Sequence, residues 1–199
     1  MFPTPARAVR AALATATSLV LVAGLGACSD DGADPDESNE SSPAAEQATG
    51  IPTQATIGFV KGKLRRDRRA QLRKQVTKTV DTWIDAAYVA GDYPRNDFSD
   101  AFQAFSKDAA ALAKRDKALM SNGEVGDRVD TVTAKARRLR IDVLADRGRA
   151  AGVTAWFVLV LDLDGEVRRT DRIAGRLFLS HSGSDWQVFG YDVKRGRVA

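Results

Sequence analysis

The chain has 199 residues, a formal charge of +4, a mean hydropathy of −0.27, one cysteine and one histidine. A lone cysteine excludes an internal disulfide, so any fold must rest on an apolar core. A lone histidine cannot build a zinc site without several carboxylates around it.

The chain begins in three zones. Met1–Arg10 carries Arg7 and Arg10 and no acid, residues 11–25 are mostly Ala, Leu and Val, and Gly26 and Ala27 precede Cys28. The apolar zone is of signal-peptide length and too short for a transmembrane helix. Leu25-Gly26-Ala27-Cys28 resembles the lipobox of bacterial lipoprotein signal peptides. That resemblance implies cleavage after residue 27 and a diacylglyceryl group on Cys28, with the protein held on the extracytoplasmic face of a cell membrane. A single acyl chain, at about 0.8 kcal/mol per buried methylene, holds a protein only marginally, whereas two or three make a lasting anchor.

Residues 28–50 differ in kind. They hold seven acids between Asp30 and Glu46, no Lys or Arg, and otherwise mainly small and polar residues. Such a composition cannot offset its ordering entropy and predicts a disordered tether. With two arginines in the signal and seven acids in the tether, residues 51–199 carry a charge of +9. Much of it lies in one run: Lys61, Lys63, Arg65, Arg66, Arg68, Arg69, Arg73 and Lys74. This run suggests contact with an anionic surface, either lipid headgroups or an acidic wall polymer. A solvated helix start with no partner is the plainer alternative. Nucleic acid is set aside by the expected location.

The domain is expected over 51–199. Leu72, Val76, Val80, Trp83, Ile84, Ala87 and Tyr88 fall on one stripe and predict a long helix from Arg68 to Tyr88, stopped at Gly91. A second helical stretch is predicted over Phe98–Phe105. A third runs from Lys107 to Met120, with Ser106 as its cap. The period then changes to two. Strands are predicted over Val129–Leu144, which is strongly basic, and over Val153–Leu163, Arg168–His181 and Trp186–Val193. Asp164-Gly165 marks a hairpin.

Helices followed by strands imply an α+β fold, with N-terminal helices packed on a curved antiparallel sheet of about four strands. The long helix ending in Tyr88-Val-Ala-Gly-Asp92, the Phe-rich short helices and the closing Trp186 strand resemble the NTF2-like superfamily of cystatin-like α+β cones. The likeness covers roughly residues 57–195. It is weaker to the envelope proteins associated with mammalian-cell-entry lipid transport, which usually carry a transmembrane anchor.

The NTF2-like resemblance implies a pocket between sheet and helices. Trp83, Trp156, Trp186, Phe98, Phe102 and Phe105 read most simply as core, with Trp83, Tyr88, Phe102, Trp156 and Tyr191 as the candidates to line such a pocket. The resemblance also directs attention to Tyr and Asp residues that related enzymes place inside, here Tyr88, Tyr93, Tyr191, Asp85 and Asp192. Nothing in their spacing makes them converge as a general base requires. His181 falls at a strand end, and Asp162-Leu-Asp164-Gly-Glu166 lacks the full ligand series of a Ca²⁺ loop. No catalytic residue, metal or cofactor is therefore assigned. The expected function is a non-catalytic, membrane-anchored binding or assembly module of the cell envelope, whose partner is an anionic surface or an envelope protein. A carrier of an apolar small molecule and a ketosteroid-isomerase-like enzyme are the alternatives.

Overall fold

The computed structural model describes residues 50–198. The expected signal segment, lipidation at Cys28 and the tether up to residue 49 lie outside the described residues. The first described element is a strand, β1 (Gln54–Lys61), followed by the long helix α1 (Arg66–Ile84). Two shorter helices come next, α2 (Lys107–Arg115) and α3 (Lys117–Met120). Four long strands close the chain: β2 (Thr131–Asp146), β3 (Arg149–Asp164), β4 (Arg169–Ser182) and β5 (Asp185–Arg197).

The sheet order is β1-β2-β3-β4-β5. β2 to β5 form an antiparallel meander, while β1 lies parallel to β2. A parallel neighbour needs a long crossover, and the helices occupy that connection. Among the described residues, strands take 46% and helices 30%. This overturns the expected fold of N-terminal helices on about four antiparallel strands. Among the described residues the sheet is mixed, has five strands, begins before the helices and carries only one long helix. β1 escapes a period-two reading because its register shifts between Ile57 and Val60, at Gly58-Phe59.

α1 forms as its stripe predicts. Leu72, Val76, Val80, Trp83 and Ile84 are buried on one side. The helix widens into a π turn over Asp85–Val89, where the Ala90 N–H bonds to the Asp85 carbonyl at 2.8 Å. Gly91 then takes φ +94°, a left-handed conformation that ends the helix without Cβ strain. The Phe-rich stretch forms only a 3-10 turn over Ser99–Phe102. Asp97 competes with a longer helix by accepting the Ser99 N–H at 2.8 Å. Ser106 caps α2, its Oγ accepting from the Ala109 N–H at 3.3 Å, while Asp108 and Lys114/Arg115 complement the helix dipole at opposite ends.

One face of the sheet packs on the helices. Leu139 and Ile141 of β2, Phe157 and Leu159 of β3, Ile173 and Leu177 of β4 and Val188 of β5 are buried there. Trp83 lies against this layer, edge-on to Phe157 at 5.2 Å between ring centroids. Two ion-pair clusters stitch the layers. Arg137, buried on β2, reaches Asp81 at 3.0 Å and Asp85 at 2.8 Å. Arg195 of β5 meets Asp171 of β4 at 2.7 Å, and also donates to Asn122 Oδ1 at 2.9 Å.

Candidate functional site

Alternation along each strand sends every second side chain to the face away from α1. Register then lines these residues up across the sheet. One row reads Thr56, Arg140, Trp156, Arg176, Asp192 from β1 to β5. The next row reads Gln54, Arg138, Val158, Ala174, Lys194. At about 4.8 Å per strand, each row is roughly 19 Å wide. Together with Arg172 they line an open groove of about 660 Å³.

Trp156 stands at the centre and is 37% exposed. The Arg140 guanidinium lies 5.3 Å from its ring centroid and that of Arg176 5.2 Å, so the indole is flanked by cations from both neighbouring strands. Its orientation is fixed from below. Asp142 accepts the indole N–H at 2.9 Å, the Phe59 backbone N–H at 2.9 Å and Arg140 at 3.3 Å. Gly58 leaves room for this arrangement, since a Cβ there would sit 2.3 Å from Asp142 Oδ1. Of the five cations in the groove, Arg140 and Arg176 alone have carboxylate partners among the described residues. Arg138, Arg172 and Lys194 project into solvent with their charge uncompensated. The groove thus presents an aromatic plate and spare positive charge, the chemistry that attracts an anionic group and gives it a surface to rest on.

Along the strands the same face turns apolar. Beyond the Trp156 row lie Phe178, then Leu144, with Phe59 and Phe189 contributed by the edge strands. Phe59 is 69%, Leu144 52% and Phe189 56% exposed. These three and Trp156 make up four of the seven large exposed hydrophobic residues among those described. Their clustering on one face separates them from the single exposed apolar residues that any protein surface carries. Arg176 joins the two halves, with its guanidinium 5.4 Å from the Phe178 ring centroid as well as beside Trp156.

Of the residues singled out from sequence as site candidates, only Trp156 and Asp192 line the groove. Lys61 ends β1, Lys63 lies in the connection, Arg65 precedes α1 and pairs with Asp67 at 3.2 Å, and Arg66, Arg68, Arg69, Arg73 and Lys74 occupy the start of α1. All eight are exposed. The helix spreads them around its axis, so only Arg66, Arg69 and Arg73 share an arc.

Among the lining residues, Trp83, Tyr88 and Phe102 are buried on the helix side of the sheet. Phe105 joins them, 6.0 Å from Trp83 and 5.4 Å from Phe102. Tyr191 is half-buried and donates to Asp116 at 2.7 Å. Trp156 lies on the opposite face and is the one member that enters the groove.

The Tyr and Asp residues are scattered in the same way. The Tyr88 hydroxyl donates to the Leu119 carbonyl, and burial holds its pKa far above the ordinary tyrosine range, against the pull of Arg195. Tyr191 is also raised, by desolvation first and then by Asp116. Tyr93 donates to the Tyr88 carbonyl at 2.7 Å. Asp85 pairs with Arg137, and Asp192 lies on the open face with Arg176 at 3.1 Å. His181 stands at the end of β4, its ring 4.0 Å from that of Trp186. Asp162 and Asp164 hold Thr170 and Arg168 respectively.

Arg138 and Arg140 belong to the strand read as basic. Arg172, Arg176 and Lys194 carried no signal as members of a site, because only register sets their two strands, β4 and β5, in line with the basic residues of β2. The chain matches no family model, no curated protein and no solved structure.

Proposed function

We propose that the chain is a lipid-anchored, extracytoplasmic binding module of a bacterial cell envelope, without catalysis, and that the open face of its sheet is the binding surface. One observation carries the reading. An exposed tryptophan is held between two arginines, and Arg138, Arg172 and Lys194 stand beside it with their charge uncompensated. The ligand class that suits this groove is an anion, consistent with the headgroups and acidic polymers that lie outside a bacterial membrane. No described helix is long and apolar enough to cross a membrane, and the attachment proposed is the lipid on Cys28.

The two halves of the reading are tested separately. Cys28→Ser should abolish incorporation of radiolabelled fatty acid and leave the precursor unprocessed. Undiminished labelling would overturn the anchor. For the groove, short polyphosphate added to the full chain should shift the tryptophan fluorescence in a salt-sensitive manner, since Trp83 and Trp186 are 0% and 4% exposed and Trp156 dominates the accessible signal. Arg138→Gln combined with Lys194→Gln should weaken that response at least tenfold if each removes about one ionic contact. An unchanged response would remove the groove from consideration.

A further inference from the structure

The groove and the apolar patch are halves of one surface sorted by polarity along the strands. Arg172 lies in the outermost row, Arg138 and Lys194 in the next, and Arg140 and Arg176 in the third, on either side of Trp156. Beyond that row lie Phe178 and Leu144, with Phe59 and Phe189 at the edges. Rows two residues apart along a strand are separated by about 6.7 Å, so the cationic zone is roughly 13 Å deep and the apolar zone begins one row later. A tryptophan at the boundary matches the preference of indole rings for the membrane interface, where one edge is wet and the other apolar.

We infer that the open sheet face docks on an anionic phospholipid bilayer. In this pose the arginines and Lys194 meet headgroup phosphates, and Trp156 lies at the interface. Phe59, Leu144, Phe178 and Phe189 reach toward the acyl chains. The inference rests on the binding-module reading of the same face and names its ligand. It places the lipid contact on the sheet instead of on the basic start of α1. Asp142 and Asp192 are the acids lining this surface; Asp162, one row beyond Arg172 on the same face, pairs with Lys135 at 3.4 Å and accepts from Thr170 at 2.7 Å. Asp142 is committed to the Trp156 indole and Arg140, and Asp192 to Arg176, so neither opposes the contact from an unpaired position.

The test uses the full chain reconstituted into vesicles whose acyl chains carry bromine, a contact quencher of tryptophan. One set is phosphatidylcholine alone and the other contains phosphatidylglycerol. Quenching should be stronger with phosphatidylglycerol and should fall steeply with salt. A basic residue at an anionic surface contributes about fivefold to partition, so Arg138→Gln with Lys194→Gln should weaken the docked state about twenty-five-fold at low salt. Neither residue has an ion-pair partner among the described residues, so this variant keeps the fold. Phe189→Ser should reduce quenching without removing any charge, and Trp156→Phe should abolish it, because the fluorophore at the contact is gone.

Quenching that ignores phosphatidylglycerol and these substitutions would overturn the inference. So would loss of docking only when Arg65, Arg66, Arg68 and Arg69 become Gln, which would assign the contact to α1. If polyphosphate perturbs Trp156 but brominated bilayers never quench it, the lipid inference fails and the groove remains an anion site. If neither probe reaches Trp156, both readings fall.

Discussion

Trp83→Ala should lower the free energy of unfolding by about 3–5 kcal/mol, the range for deleting a buried aromatic side chain. Trp83 is completely buried. Its ring packs edge-on against Tyr88 at 5.5 Å and Phe157 at 5.2 Å, which joins α1 to the π turn and to the central strand β3. The indole N–H donates to the Met120 carbonyl at 3.1 Å, tying the end of α3 to the same point. Alanine would leave a cavity bordered by three elements that cannot all collapse into it, and would strand that carbonyl without its donor. Trp83→Phe separates the two effects. It keeps most of the ring contact and loses the hydrogen bond, at about 1–3 kcal/mol. Urea unfolding of the full chain, followed by far-ultraviolet circular dichroism, measures both. A loss of about 0.5 kcal/mol for the alanine variant is what a surface position shows, and would contradict the packing of α1 on the sheet.

Asp171→Ala should be comparably damaging, by about 3–5 kcal/mol, for an electrostatic reason. The Asp171 side chain is 1% exposed and accepts from Arg195 at 2.7 Å and Arg169 at 2.8 Å. Arg195 is itself almost enclosed, at 9%. Its remaining donors reach the Ser121 carbonyl and Asn122 Oδ1, both at 2.9 Å. Those acceptors are neutral, so removing the carboxylate leaves a buried guanidinium with no counter-charge. Replacing the pair together, as Asp171→Leu with Arg195→Met, should recover much of the loss, because the cost comes from the orphaned charge and not from absence of the pair. Asp192→Ala is the contrast. Its pair with Arg176 has side chains 54% and 40% exposed, and exposed pairs contribute about 0–1 kcal/mol. A double-mutant cycle on Asp171 and Arg195 that shows no coupling would refute the argument.

α1 and strands β2 to β5 were legible because each carries its period in its own residues, whereas the predicted Phe98–Phe105 helix is only a 3-10 turn and the predicted Lys107–Met120 helix breaks at Asp116. The stripe from Leu72 to Trp83 and the apolar run of β3 have this property. The turn between β2 and β3 is far tighter than the gap between the predicted strand ends at Leu144 and Val153. Arg147 and Gly148 both take positive φ, 47° and 78°, so the strands continue almost to the tip. β1 was illegible for a different reason. Its polar and apolar residues alternate only as far as the Gly58-Phe59 bulge, and its place beside β2 is set by a partner about 80 residues away. Missing β1 made the fold look like helices followed by strands, and that order carried the expected cone with it.

The candidate site shows the same division. The basic character of β2 was plain, yet Arg137 turns inward to Asp81 and Asp85 while Arg138 and Arg140 turn out. A register shift between Ala134 and Ala136 sets that phase, and no local composition reveals it. The run from Lys61 to Lys74 drew attention because its charges are consecutive. The groove's charges are dispersed over three strands and become neighbours only through pairing.

The parallel pairing of β1 has a consequence for the order in which the molecule assembles. Strands β2 to β5 are joined by short turns and can zip together locally, whereas Gln54 meets Arg138 only after a far longer loop has closed. Contacts of such separation form late and open early, so β1 is the strand whose fraying costs least. With β1 released, Gln54 and Thr56 leave the groove rim, and Asp142 loses the Phe59 N–H that helps to hold it beneath Trp156. The meander would survive with its binding face incomplete. A ligand that prefers the complete face therefore stabilises the docked edge strand, and occupancy of the surface and closure of the sheet become one linked equilibrium.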